Sequence, residues 1–410
     1  MANVFNSDVH KQFYITGVQD ENRDALPMRY VSDIQTENAE YLFNRYGADL
    51  VAQNSTDSTY STPAFTYSAD SKLINLEAIS ADRISEKEMS RQGFDIVADR
   101  TNKHAYAIKQ AVHRNAARVT RLGAGSILDN EVLAGSASAR TPITVSATNA
   151  DDIAATVTQL LQEGNAYGSG NPYVMMSPKQ AKFFNLFSMG AGFSFADRAL
   201  EKGMFMLGGG ERIIRGAAGF GGLDVIVTNE TPRVARYTLA ANLTAADTVT
   251  VNGVVFTVVA IPSAAGEVDL GASAEITINN IVAAINNSSN YAAGVGIATS
   301  YFEVSTANRT TLNTAGAKAV KITAAIMDME TFSTLTVSEA GAQSSWSAVS
   351  DVMLAGAYNS TTIALPSAGM TVKEKEVPLF NGIEIMVAQQ HDAVIWTKDA
   401  PKIVQVLCVA

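Results

Sequence analysis

Ala105-Tyr-Ala-Ile-Lys-Gln-Ala-Val-His-Arg-Asn-Ala-Ala-Arg-Val-Thr-Arg-Leu122 is the stretch whose reading decides the fold class. Ala105, Ile108, Val112, Ala116 and Val119 recur every three or four residues, which lines one face of an α-helix with apolar groups. The pattern predicts a helix from about Ser85 to Leu122, with Gly93 bending or breaking its first part and Gly123-Ala-Gly125 ending it. Its other face carries Arg100, Lys103, Arg114, Arg118 and Arg121. Such a basic row is either a solvated face or a set of ion-pair partners for a neighbouring chain.

Upstream of this helix, residues 1–48 are polar with short apolar groups. They read as an extended arm in which Tyr41-Leu-Phe-Asn-Arg-Tyr46 forms a helical turn or two. Residues from about Val51 to Ser80 are rich in Ser, Thr and Tyr, and Tyr60–Tyr67 and Leu73–Ile79 flank the turn-like Ser68-Ala-Asp-Ser71, the pattern of a long β-hairpin loop. Downstream, residues 141–236 read as an α/β domain. A helix is expected at Ala150 to Glu163, a strand at Pro172 to Met176, and a second helix after Ser177-Pro178, where Ser caps and Pro opens the first turn. A glycine-rich run, Gly208 to Gly222, leads into the strand Leu223-Asp-Val-Ile-Val-Thr228 and a turn at Asn229-Glu-Thr-Pro232.

The character changes from about Tyr237 to Ser350, where Thr, Val and Ala dominate. Asp247-Thr-Val-Thr-Val-Asn-Gly-Val-Val-Phe-Thr-Val-Val259 is a hairpin by pattern, because Asn252-Gly253 supplies the two positive φ angles of a two-residue turn. Ile278, Ile281, Val282 and Ile285 mark one helix, capped by Ser273. Further strands are expected at Tyr301–Ser305, Lys318–Ala324 and Ser333–Ser338. The segment therefore reads as a β-rich domain inserted into the α/β one, with hinges at 229–232 and Leu354-Ala-Gly-Ala-Tyr358. The strand Leu223–Thr228 and the segment leading to Thr361–Leu365 would be neighbours in the host. Residues 351–410 return to the host, with strands at Leu379–Val387, Ala393–Trp396 and Ile403–Val409.

Of the 410 residues, 47% are hydrophobic and 17% charged. Average usage is about a quarter charged, and the deficit fits an obligate oligomer whose contact surfaces are depleted in charge. A net charge of −10 argues against a protein that coats DNA or an anionic membrane, since both need a basic excess. The single cysteine, Cys408, leaves no intramolecular disulfide and no cysteine-based metal cluster, and reads as a small buried hydrophobe. The N-terminal residues lack a signal-peptide pattern and no run reaches about 18 uninterrupted apolar residues, so a cytoplasmic site of synthesis and no membrane partner are expected.

The residues that could carry chemistry do not assemble into a motif. His10, His104, His113 and His391 lack a second ligand at metal spacing. Lys109 and His113 sit one helical turn apart, but a cation beside an imidazole lowers its pKa without orienting it. The Gly208–Gly222 run holds no phosphate-loop signature, and neither does Gly123-Ala-Gly125. Cys408 is a poor place for a nucleophile, and Asp151-Asp152 have no carboxylate placed opposite them. The reading is of no catalytic, cofactor-binding or metal site.

Polar arm, long hairpin loop, long helix, α/β domain, the run Phe205-Met-Leu-Gly-Gly-Gly-Glu-Arg-Ile-Ile-Arg-Gly, the strand Gly221-Gly-Leu-Asp-Val-Ile-Val and the C-terminal strands follow in an order that resembles the major capsid proteins of tailed bacteriophages. The resemblance implies an α+β Hong Kong 97-like fold: an N-terminal arm (1–48), an E-loop hairpin (49–82), a spine helix with peripheral domain (83–140), the first part of an axial domain (141–236), an inserted β-rich domain (237–350), and a return to axial and peripheral strands (351–410). It implies a virion subunit that assembles in the host bacterial cytoplasm with itself, in hexamers and pentamers. The shell encloses double-stranded DNA without reading its sequence, its acidic wall letting the DNA slide. Portal and decoration proteins are further partners, with a separate scaffolding protein or none. Lys72 stands in the hairpin loop, where the family's founding member crosslinks Lys to Asn, but the acidic catalyst that reaction needs is not recognisable here. The competing readings are an encapsulin-like nanocompartment shell and a β-rich tail or adhesin protein. The latter would make the long helix a trimeric coiled coil, although its stripe lacks strict heptads.

Overall fold

The computed structural model describes residues 31–36, 40–46, 67–74, 76–85, 96–146, 148–169, 172–190, 212–217, 222–262, 266–286, 318–332, 334–366, 370–376, 382–396 and 398–409. In chain order the elements are β1 (Val31–Thr36), β2 (Glu40–Tyr46), β3 (Tyr67–Leu73), β4 (Leu76–Ser85), α1 (Ile96–Leu122), β5 (Ser126–Leu128), α2 (Asn130–Leu133), β6 (Ile143–Thr144), α3 (Ala150–Glu163), β7 (Tyr173–Met176), α4 (Pro178–Gly190), β8 (Arg212–Ala217), β9 (Leu223–Val227) and β10 (Arg233–Leu239). They continue with β11 (Thr248–Val251), β12 (Val254–Val259), β13 (Glu267–Asp269), α5 (Ala274–Asn286), β14 (Lys318–Thr323), β15 (Ile326–Thr331), β16 (Val337–Ala340), β17 (Ser344–Trp346), β18 (Ser350–Gly356), β19 (Thr361–Pro366), β20 (Met370–Glu376), β21 (Gly382–Ile395) and β22 (Ile403–Val409). The fold is α+β. The chain forms two units, one of Met1–Ala116 with Thr361–Val394, the other of Ala117–Ser360 with Ile395–Ala410.

In the first unit, β1, β19, β21 and β20 lie side by side and β4 joins on β21. Strand β1 runs parallel to β19, and β4 runs antiparallel to β21 from Ser85↔Gly382 to Leu76↔His391. Alternation decides which face is covered: Ala78 and Ile84 of β4 and Ile385, Val387 and Gln389 of β21 are buried, whereas Glu77, Ile79 and Arg83 are exposed. β2 and β3 form a separate two-stranded antiparallel sheet, from Glu40↔Leu73 to Tyr46↔Tyr67.

Several sequence expectations change here. Tyr41–Tyr46 is a strand, not a helical turn, and Ser68–Ser71 lies in mid-strand rather than at a turn. Cross-strand partners override the weak local preference of these short polar stretches. The hairpin is thus built from residues 40–73, and Leu76–Ser85 belongs to the five-stranded sheet instead. Ser85, the expected start of the helix, lies in β4; the described helix is Ile96–Leu122, and residues 86–95 are outside the described residues. The strands expected at 379–387 and 393–396 are one strand, β21.

In the second unit a sheet runs β14-β15-β10-β18-β7-β9-β8, with β17 on β10, β22 on β18, and β5 and β6 on β22. Ile153, Val157 and Leu161 recur every four residues along α3 and bury into a core shared with Val174, Met176, Val225, Met353, Val404, Val406 and Cys408. Ser177 and Gln180 form a capping box at the start of α4: the Gln180 amide N–H donates to Ser177 Oγ at 3.3 Å, and the Ser177 N–H to Gln180 Oε1 at 2.8 Å.

A second core in this unit draws only on residues between Ala235 and Val349. The sheet β13-β12-β11-β16 packs with α5 here, through Val249, Val251, Phe256, Ile278, Ile281 and Ile285. Asn252 (φ 50°) and Gly253 (φ 80°) make the left-handed turn their sequence demands. Ser273 caps α5, its carbonyl accepting from the Thr277 N–H at 3.0 Å. β10 and β15 carry Tyr237, Leu239, Met327 and Met329 into this core while also belonging to the large sheet. The strand expected at 333–338 falls at Val337–Ala340, β15 lies where none was expected, and Tyr301–Ser305 is outside the described residues.

The segment Leu354-Ala-Gly356 is strand, and the turn follows at 357–360, where Asn359 has φ 64°. β9 lies between β7 and β8 and is not paired with β18, but the segment leading to Thr361 reaches it through Tyr358, whose hydroxyl donates to Asp224 Oδ2 at 2.8 Å. β10 and β18 instead meet, at Arg233↔Asp351 and Val234↔Ser350.

Candidate functional site

The densest chemistry among the described residues is a buried ionic cluster in the second unit. Helical spacing puts Arg118 and Arg121, three residues apart, on one side of α1. The two-residue period of β15 sends Met327 and Met329 into the apolar core and puts Asp328 and Glu330 together on the other face. Arg236 stands opposite Asp328 in the β10–β15 register.

Arg236 holds Asp328 with two parallel bonds, Nε to Oδ1 at 2.8 Å and Nη2 to Oδ2 at 3.1 Å, the fork geometry that only arginine provides. Arg121 donates from Nη2 to Glu330 Oε2 at 2.8 Å, and its Nη1 lies 3.6 Å from Asp328 Oδ2. Arg118 Nε is 3.4 Å from Glu330 Oε1, and its guanidinium carbon lies 5.9 Å from the Phe332 ring centroid. The side chains of Arg121 and Glu330 are 2% and 0% exposed, so each charge is tolerated only because the other is there.

A fourth arginine borders the cluster. Asp129 accepts from the Val132 N–H at 2.8 Å, Ser138 Oγ at 2.5 Å and the Arg140 N–H at 2.8 Å, which pins the loop that carries Arg140. Burial alone would raise the Asp129 pKa, but these three bonds outweigh it and hold the carboxyl below the usual range. Arg140 itself has φ 67°, and its guanidinium pKa is lowered by burial and then by Arg236, against the pull of Asp328 and Asp129. Arg121, Arg140 and Arg236, with Val234, Asp328, Ser347, Ser350, Gln405 and Leu407, line a small cleft with room for about one water-sized particle.

The basic row of α1 thus has a third fate beside solvent and a neighbouring chain: Arg118 and Arg121 pair within their own chain. No motif marks Asp328 and Glu330, which lie 209 residues from Arg121 in the case of Glu330. The alternation Met327-Asp-Met-Glu330 was the one available signal, since it reads as a strand with one apolar and one acidic face.

The other residues singled out in the sequence lie apart. His104 is buried with Nδ1 2.6 Å from Ser80 Oγ, His113 is buried on α1, and His391 is buried on β21. Lys109 Nζ sits 5.9 Å from the Tyr106 ring centroid. Cys408 is fully buried in β22, and burial, with Asp351 nearby, pushes its thiol pKa up, away from nucleophilic chemistry. Asp151 and Asp152 are exposed in the first turn of α3, where the helix dipole favours carboxylates. Lys72 lies in β3 opposite Tyr41. His10 and most of Gly208–Gly222 are outside the described residues. Among the described residues no three His, Cys, Asp or Glu side chains gather as a metal site, and no described helix is long and apolar enough to cross a membrane.

No protein-family model and no curated protein matches the sequence. Solved structures do. The capsid of cyanophage P-SCSP1u matches with a TM-score of 0.43 at 9% identity, over 93% of this chain and 86% of that one. The capsid of a native GTA particle matches with a TM-score of 0.43 at 12% identity, over 94% and 90%. A virus-like particle from Pyrococcus furiosus matches with a TM-score of 0.41 at 10% identity, over 97% and 98%. Each of these likenesses spans more than nine tenths of this chain.

Proposed function

We propose that the chain is the self-associating subunit of an icosahedral phage shell, arranged in hexamers and pentamers around double-stranded DNA. The observation that carries this reading is the β2–β3 hairpin: among the described residues its strands pair only with each other. A two-stranded hairpin is marginal by itself in water, so a neighbouring copy is the natural support for residues 40–73. The low charged fraction points the same way, toward surfaces covered by other copies. Residues 235–349, with a core of their own, act as an inserted module on the outer surface. Scaffolding, portal and decoration proteins are its further partners. The chain has a structural rather than catalytic role.

The trimeric tail or adhesin reading needs an apolar seam on α1 open to partner helices. Ile108, Val112 and Ala116 are at most 1% exposed in the single chain, so that seam is already covered.

The test is negative-stain microscopy and size-exclusion chromatography of the full chain, with and without co-expressed phage scaffold. Closed shells are expected, and a stable monomer at high concentration overturns the reading. Replacing residues 47–66 by Asn-Gly joins Tyr46 to Tyr67 through a two-residue turn and keeps the β2–β3 register. That variant should fold and fail to close shells; normal shells would show that the hairpin loop is not the contact.

A further inference from the structure

Four guanidiniums, Arg118, Arg121, Arg140 and Arg236, face three carboxylates, Asp328, Glu330 and, beside Arg140 without an ion pair to it, Asp129. Asp328 is committed to Arg236 and Arg121, and Glu330 to Arg121 and Arg118. Arg140 is left over. Its side chain makes no hydrogen bond and no ion pair among the described residues, although it is half-buried beside two other guanidiniums. Unbalanced charge away from water is costly unless something neutralises it.

The cleft lies where the excess is. Arg121, Arg140 and Arg236 all line it. Two of its lining side chains are more than nine-tenths buried and have unused polar atoms: Arg121, 2% exposed, whose Nε–H has no acceptor, and Gln405, 5% exposed, whose Oε1 has no donor among the described residues. The two ends of an amide are interchangeable by a half-turn, so Gln405 can present its NH2 to the same space.

We propose that this cleft binds a small monovalent anion of chloride size, held by Arg121, Arg140 and Arg236 and by the Gln405 amide. The anion neutralises the surplus guanidinium, accepts from the Arg121 Nε–H and fills a space too small for phosphate. It locks the loop of Arg140 against β10, β15 and β22 within the second unit. The site is independent of shell assembly.

The experiment is thermal unfolding of the full chain in sodium chloride against sodium gluconate at constant ionic strength. Chloride should raise the melting temperature by about 2 °C or more, and saturate. Arg140→Gln should lose that dependence and melt in gluconate no lower than the parent, because it removes the surplus charge. Gln405→Leu, which keeps every charge, should need several-fold more chloride for the same shift. If Arg140→Gln is poorly folded, the parent alone decides: bromide-soaked crystals should show an anomalous peak between Arg121, Arg140 and Arg236. A parent protein indifferent to chloride, an unchanged chloride response in Arg140→Gln, or a bromide-free cleft each overturns the site.

Discussion

Arg121 is a guanidinium 2% exposed against a carboxylate, Glu330, that water does not reach at all. The net worth of such a pair is small, but removing one partner strands the other. Arg121→Met should therefore destabilise the protein by about 3 kcal/mol, the low end for a broken buried pair because Arg118 still faces Glu330. Arg121→Met with Glu330→Gln should recover most of that loss, and urea melts of both variants measure it. If the double variant is no better than the single one, packing rather than charge is what Arg121 supplies. The buried histidines set the pH response. Burial lowers the pKa of His104, against the pull of Asp82 and aided by Arg100, and that of His391, against Gln389 and Asp392. The folded state thus prefers both rings neutral, and the unfolded chain takes up protons first as pH falls through about 6.5. Stability should be full above pH 7 and decline between pH 6.5 and 5. Asp129, whose folded pKa is depressed, contributes its loss only at about pH 4 and below. Urea midpoints that stay flat from pH 7.5 to 5 would sink this assignment. His104→Asn, which keeps a polar partner for Ser80, should shallow the slope.

At the scale of single elements, two glycines show two different constraints. Gly253 needs φ 80°, and a Cβ there would meet nothing within 4 Å. Gly253→Ala should cost only the left-handed strain, about 1 kcal/mol. Gly164 has an ordinary φ of −78°, but a Cβ would stand 2.0 Å from the Pro401 carbonyl oxygen. Gly164→Ala must push backbone apart, and should cost about 3 kcal/mol, the upper end for overpacking; thermal melts that rank the two the other way would overturn this contrast. The elements readable in the sequence are those whose reasons are local. Asn252-Gly253, the Ser177-Pro178 helix start, the four-residue beat of Ile153, Val157 and Leu161, and the last strand Ile403–Val409 all stand where local chemistry puts them. What escaped depends on partners distant in sequence. Ser68–Ser71 has turn composition, yet pairs with Phe43, Leu42 and their neighbours to become strand. Gly356 reads as a hinge, yet β22 and β7 carry the strand through it. The ionic cluster is the same lesson for a site: its arginines were visible as a row on a helix, and their carboxylates lay on a strand with no motif to mark it.

Across the whole molecule, the question is whether residues 235–349 can fold without the rest. Their core is separate from that of the surrounding α/β elements, which draws on 128–227 and 353–408. Three polar side chains inside it are answered locally: Thr277 donates to Asn242 at 2.7 Å, Asn280 to the Asp269 carbonyl at 2.8 Å, and Asn286 bonds Ala319 through both its donor and its acceptor. The seam with the host joins β10 to β18 at two residue pairs and carries the part-buried pair of Arg233 with Asp351 at 2.9 Å, besides the buried ion pairs that Arg118 and Arg121 make with Asp328 and Glu330. Excising the module takes Arg118 and Arg121 away from Asp328 and Glu330, but it also opens that face to water, and Arg236 stays with Asp328. The cost is therefore much smaller than that of deleting Arg121 in the intact chain. Where the cut falls matters more than the lost ion pairs. A fragment beginning at 237 lacks Arg233–Arg236, half of β10, including the partners of Asp328–Thr331, and leaves β15 an unpaired edge. A fragment of residues 231–350 keeps the whole strand. It should melt cooperatively with mixed α and β circular dichroism, while the fragment 237–350 should be largely unfolded under the same conditions. If 231–350 is unfolded as well, the second core depends on the host sheet, and the segment is an extension of that sheet rather than an inserted domain.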